Sequence, residues 1–126
     1  MEREWKCEDP ARRQVWSAAI NETLRVFEGK WKIVIINELM AAKRQPLRFS
    51  ALEKLIPDVT QKMLIQQLKA LQQDGIVHRT VYAEVPPRVE YALTELGHAL
   101  APSMTALIDW AQLRQSSQAG TSPDAR

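Results

Sequence analysis

Residues 60–93 read TQKMLIQQLKALQQDGIVHRTVYAEVPPRVEYAL, and their reading decides the fold. In the first half, Leu64, Leu68 and Leu71 stand at the i, i+4, i+7 spacing of one buried helical face. Thr60 is placed to cap that helix, because its hydroxyl can accept a free backbone N–H of the first turn. Asp74-Gly75 ends it, since glycine takes the left-handed conformation without a steric penalty. Ile76-Val77 and Thr80-Val81-Tyr82 then read as β-branched strand, and Val89, Tyr91 and Leu93 alternate as a returning strand. Between them Val85-Pro86-Pro87 forces a turn, because neither proline can donate to a ladder. The unit is a helix followed directly by a hairpin with a proline-stiffened tip.

With the leucines inward, a turn of about 100° per residue brings Lys62, Gln66, Lys69 and Gln73 to the opposite face. Ile65 lies at its flank. Glutamine and lysine donate to base edges and phosphates, and no acid interrupts this face before Asp74. A solvated surface would look the same. The hairpin behind it, carrying His78, Arg79 and Arg88, favours a DNA-binding winged helix.

In order along the chain, Gly29-Lys30-Trp31, Arg48-Phe49 with Leu52, and Gln61-Lys62-Met63-Leu64 with Leu68 form a series of blocks. Asp74-Gly75-Ile76-Val77, EVPPRVEY over residues 84–91, and LTELG over residues 93–97 complete it. This ordered set resembles the HxlR-type winged helix-turn-helix regulators of bacteria, and it spans residues 26–110. The resemblance implies a mainly α fold with a small β-hairpin wing, flanked by N- and C-terminal dimerisation helices. It also implies a homodimer on double-stranded DNA, acting as a transcriptional regulator and most often a repressor.

The bulk properties agree. A chain of 126 residues makes one domain with a single modest core. No run approaches about 18 apolar residues, and MEREWKCEDPARR has no apolar secretory core, so no membrane association and a cytoplasmic location are expected. Residues 1–42 hold seven basic and seven acidic side chains, residues 43–88 eight against four, and residues 89–126 two against four. The surplus of +4 therefore falls on the proposed DNA face, as phosphate neutralisation requires.

Residues 1–13 read as a charged arm, residues 14–113 as the domain, and residues 114–126 as a polar, disordered tail. Asp9-Pro10 is a helix-start signal. Beyond it Val15, Ala18, Ala19, Leu24 and Phe27 form one apolar stripe, with Trp16, Ile20 and Val26 off it. A helix apolar on more than one face needs a second surface, which the resemblance supplies as a partner subunit. Residues 31–40 read as the central core helix, residues 47–49 as a small strand pairing with the hairpin, and residues 49–56 as the first helix of the helix-turn-helix. Thr94 caps a final helix to about Arg114, broken or kinked at Pro102, with Leu96, Leu100, Met104, Leu107, Ile108 and Trp110 on its apolar face. The expected dimer interface is Val15, Trp16, Ala19, Ile20, Met104, Leu107, Ile108 and Trp110.

Helix-turn-helix geometry assigns the major groove to Thr60, Gln61, Lys62 and Gln66, glutamine being able to read adenine with two hydrogen bonds. Ile65 either packs on a thymine methyl or flanks the core. Lys69 and Arg48 are expected at phosphates. Arg88 either reaches the minor groove from the wing or is held by Glu84, and Arg79 serves the strand or the DNA. Two histidines without a partnered nucleophile, and no glycine-rich loop, argue against an enzyme. Cys7, His78 and His98 are too scattered for a metal site, and no cofactor is expected. Several members of the resembling family sense oxidants through a cysteine about 14 residues before the GKW tryptophan, near Ser17 here. Cys7 stands about ten residues earlier and is followed by Glu8, so it reads as incidental rather than redox-active. Two other readings stay open: a winged helix used for protein contacts alone, and an effector pocket at the dimer interface walled by Trp16, Trp31 or Trp110.

Overall fold

The structure is a computed structural model that describes residues 8–120. Leu64, Leu68 and Leu71 are fully buried, as their spacing requires, and the rest of the core gathers around them. They belong to helix α4 (Gln61–Gln73), which packs on α2 (Lys32–Ala41), itself in contact with α3 (Phe49–Leu55). Ile35, Ile36 and Leu39 of α2 and Leu52 of α3 complete the helical side of the core. Trp31 packs at its edge, with the Lys30 ammonium 4.7 Å from the ring centroid.

The other side is a three-stranded antiparallel sheet in the order β1 (Leu47–Arg48), β3 (Arg88–Leu93), β2 (Val77–Tyr82). Val77 pairs with Leu93 and Arg79 with Tyr91, while Leu47 faces Tyr91 from the far edge. The period-2 alternation turns Val77, Tyr91 and Leu93 into the core and leaves His78 exposed.

Helix α4 joins β2 through a Schellman motif: Gly75 N–H donates to the Gln72 carbonyl (3.1 Å) and Ile76 N–H to the Leu71 carbonyl (3.0 Å). This needs the left-handed φ of +77° that Gly75 adopts. Thr94 locks the same turn from outside. Its hydroxyl lies 2.6 Å from the Gly75 carbonyl and 3.2 Å from that of Ile76, while accepting from Gly97 N–H at 3.1 Å. Thr94 thereby caps the short helix α5 (Glu95–His98) and seats it on the α4–β2 turn. A bidentate Arg44–Glu95 pair, 2.7 and 3.4 Å, adds a solvent-exposed link from the turn after α2.

Two expectations about the termini are corrected. The single final helix is two, α5 and α6 (Ala101–Gly120), and the break falls at Ala99-Leu100 rather than at Pro102. Proline is well accommodated in a first helical turn, where its missing N–H has no partner to lose. Helix α6 also runs through Arg114 to Gly120 instead of giving way to a disordered tail at residue 114. Gln115, Gln118 and Ala119 are adequate helix formers, and no proline stands between Arg114 and Pro123. At the other end α1 (Pro10–Val26) begins inside the expected arm, with the Asp9 carboxylate accepting from Ala11 N–H at 3.1 Å. Trp5, Cys7 and residues 121–126 lie outside the described residues. No helix among those described is long and apolar enough to cross a membrane.

Candidate nucleic-acid interface

The exposed surface of α4 begins at Thr60, whose hydroxyl accepts from Met63 N–H at 3.0 Å. That bond satisfies one of the free donors of the first turn and fixes the helix start. Two lysines and five glutamines follow in thirteen residues without an acid. Lys62, Gln66, Lys69 and Gln73 are all exposed, as the helical wheel requires, while Gln67 turns aside to the Met63 sulfur at 3.6 Å.

One flank of α4 faces the sheet across a cleft of about 640 Å³. Gln61, Ile65, Lys69, Gln72 and Gln73 form the helix wall, and Phe49, Arg79, Val89 and Tyr91 form the other side. Four expected DNA residues, Gln61, Ile65, Lys69 and Arg79, thus converge on one cleft. Ile65 is 50% exposed there, at the flank rather than in the core. The sheet alternation that buries Tyr91 also brings its cross-strand partner Arg79 to this side, a placement fixed by the β2–β3 register. Gln72 was missed. Its place seven residues after Ile65, two helical turns on, is the signal that finds it.

Arg48 and Arg88 are elsewhere. They line a second cleft of about 350 Å³ with Glu84, Pro86 and Pro87, beneath the turn of the hairpin. Arg88 is held there on three sides: Nη2 is 3.3 Å from Glu84, Nη1 is 3.7 Å from Glu90, and its Cζ sits 3.9 Å above the Tyr82 ring. Its Nε is buried with no hydrogen-bond partner among the described residues. Of the two roles expected for Arg88, this geometry realises the ion pair with Glu84.

The expected dimer residues divide differently. Val15, Ile20, Leu107, Ile108 and Trp110 are exposed large apolar side chains on α1 and α6, Ala19 is also exposed, and Trp16 is half-buried. Met104 differs from the rest, being buried already within the single chain. Trp16, Trp31 and Trp110 share neither of the two clefts. Among the described residues no cluster of His, Cys, Asp or Glu could hold a metal ion.

Helices α3 and α4 joined by a tight turn, backed by a three-stranded sheet with a projecting β2–β3 hairpin, define a winged helix-turn-helix protein. Comparison with known proteins narrows this class. The chain belongs to the HxlR-like helix-turn-helix family, whose pattern it matches over residues 26–119. It is 43% identical over 93 residues to the HTH-type transcriptional regulator YdeP of Bacillus subtilis (strain 168), covering 74% of this chain and 70% of that one. Among solved structures it resembles the HTH-type transcriptional regulator ytcD, with a TM-score of 0.71 and 42% identity, covering 77% of this chain and 96% of that one. It also resembles the redox regulator HypR in its reduced form, with a TM-score of 0.72 and 37% identity, covering 81% and 98%. The protein is therefore a DNA-binding transcriptional regulator, and its family is one of regulators rather than enzymes.

Proposed function

We propose that the protein is a homodimeric repressor that recognises a pseudo-palindromic operator through two copies of α4. The observation that carries this reading is the acid-free, glutamine- and lysine-rich face of α4, anchored at its start by the Thr60 cap. Gln61, Lys62 and Gln66 read bases in the major groove, with Thr60 at its edge and Ile65 beside a thymine methyl. Lys69, Arg79 and Arg48 neutralise phosphates, while Arg88 reaches DNA only after leaving Glu84 and Glu90. Dimerisation covers the exposed apolar faces of α1 and α6 and sets the two reading helices about 34 Å apart. Such a regulator acts in the cytoplasm, with residues 14–113 as its functional domain.

The test is operator binding by the wild type and Lys62→Ala, using the DNA upstream of its own gene at several salt concentrations. Loss of a base contact should cost about 1–3 kcal/mol and relax specificity at that position, while the salt slope, set by phosphate contacts, stays near the wild-type value. Wild-type affinity and specificity in Lys62→Ala would remove Lys62 from the interface.

A second reading, oxidant response, is favoured by the similarity to the redox regulator HypR. Cys7 is the chain's single cysteine and would have to carry it. Loss of operator binding on diamide treatment, restored by thiol and absent in Cys7→Ser, is the expected signature. Binding that diamide leaves unchanged would exclude it.

A further inference from the structure

The cleft between α4 and the sheet has a chemistry that DNA contact only half uses. Its rim carries Lys69 and Arg79, and among the described residues neither forms an ion pair. Among the described residues no carboxylate lines it. Phosphates and base edges would satisfy those cations and the neighbouring glutamines. Beneath them lies an apolar floor of Phe49, Ile65, Val89 and Tyr91, of which DNA would use only Ile65, at a thymine methyl. Two of these are aromatic, with the Phe49 and Tyr91 ring centroids 6.5 Å apart and the rings tilted by 52°. An apolar floor with two convergent cations complements a ligand with a flat apolar body and one anionic group. The volume of about 640 Å³ falls within the roughly 300–1,000 Å³ usual for small-molecule sites.

We propose that this cleft binds an aromatic carboxylate, and that an occupied cleft is closed to operator DNA. The second part rests on the DNA-binding reading above, because Gln61, Ile65, Lys69 and Arg79 serve both ligands. The carboxylate takes the charge of Lys69 and Arg79, the ring covers Ile65, and the phosphate strand loses two of its cations and its path. Effector and operator then compete for one surface, with no conformational relay between distant sites.

The test starts without DNA. Isotopically labelled full-length protein is titrated with 2-naphthoate and, separately, with the neutral 2-naphthamide, and amide shifts are followed by NMR. The proposal requires saturable shifts at Ile65, Arg79 and Val89, with the carboxylate bound at least about tenfold more tightly than the amide. Arg79→Gln and Lys69→Gln, both exposed positions, should each erase most of that preference. Saturating naphthoate must then release a labelled operator fragment. Equal binding of acid and amide, shifts confined to α1 and α6, or operator retained at saturation would each overturn it. A failure of the operator reading looks different: the wild type then binds no DNA before any naphthoate is added.

Discussion

Gly97→Ala is the sharpest test of how the reading unit is tied to the C-terminal helices. A methyl group at Gly97 would run into the Ile76 carbonyl oxygen, nearer than side-chain carbons approach backbone atoms. It would also press on Leu93, 3.0 Å from Cδ2 and 3.1 Å from Cβ. The oxygen is backbone, and Leu93 is 5% exposed in the core, so neither can step aside cheaply. Overpacking of this kind costs about 1–3 kcal/mol. The shift of α5 also strains the Gly97–Thr94 cap, worth about 1 kcal/mol. Helical alanine recovers about 1 kcal/mol relative to glycine. The net expectation is a loss of about 1–3 kcal/mol, or roughly 4–12 °C in melting temperature for a chain of this size. Calorimetry of the two proteins side by side measures it. Gly75→Ala is the control, because a Cβ there meets nothing within 4 Å and its cost comes from φ alone. That variant should lose about 1–2 kcal/mol, mostly restored by Gly75→Asn. A Gly97→Ala protein as stable as wild type would refute the close seating of α5 on the α4–β2 turn.

Further outcomes are expected from the wing, the exposed ion pair and the apolar faces. Arg88→Ala removes the contact over Tyr82 and strips Glu90 of its cation, so urea unfolding should show a loss of about 1–2 kcal/mol; an unchanged midpoint would mean the arrangement does not hold the hairpin. Hydrogen bonding from Arg44, and then its charge, holds the Glu95 carboxyl below the ordinary carboxylate range and raises the guanidinium. That contribution is complete above the unfolded value of about 4.3 and disappears as pH falls through the lower folded value. Both groups are fully exposed, so the acid-side loss in melting temperature should be shallow and absent in Glu95→Gln. Ile108→Asp, on an exposed stretch of α6, should convert the protein to a monomer in sedimentation velocity while its DNA-free core stays folded; a persisting dimer would move the interface elsewhere.

Much of this architecture is written in local chemistry. The Leu64, Leu68, Leu71 spacing, the Thr60 cap and Gly75 each act within a few residues, and each appears where periodicity and capping place it. Alternation along 91–93 likewise buries Tyr91 and Leu93 and leaves Ala92 between them only half-buried. What stays hidden depends on angles between elements. The sequence offers Glu84 as a partner for Arg88, and Glu90 stands two residues along the same strand, but nothing in it puts a tyrosine ring beneath the guanidinium, since Tyr82 meets Arg88 only once the register is set. The cleft is hidden for the same reason: Phe49, Ile65 and Arg79 come from three elements whose separation no single stretch encodes. At Pro102 the breaker rule points to the right neighbourhood but the wrong residue, because a proline that ends one helix serves equally to begin another.

Helix α1 buries none of its seventeen residues, yet it presents Val15, Ile20 and Leu24 to solvent. In proteins most of a helix's stability comes from the packing of its apolar face rather than from propensity, so its permanence depends on what lies over it. Covered by a second copy, as proposed above, helix formation and assembly become one equilibrium, and the melting temperature rises with protein concentration. At high dilution the terminal helix should fray while the Leu64–Leu68–Leu71 core still holds, giving two transitions where concentrated protein shows one. The number of chains in the cell would then itself be an input to the regulator, read as order in α1 before any operator is met.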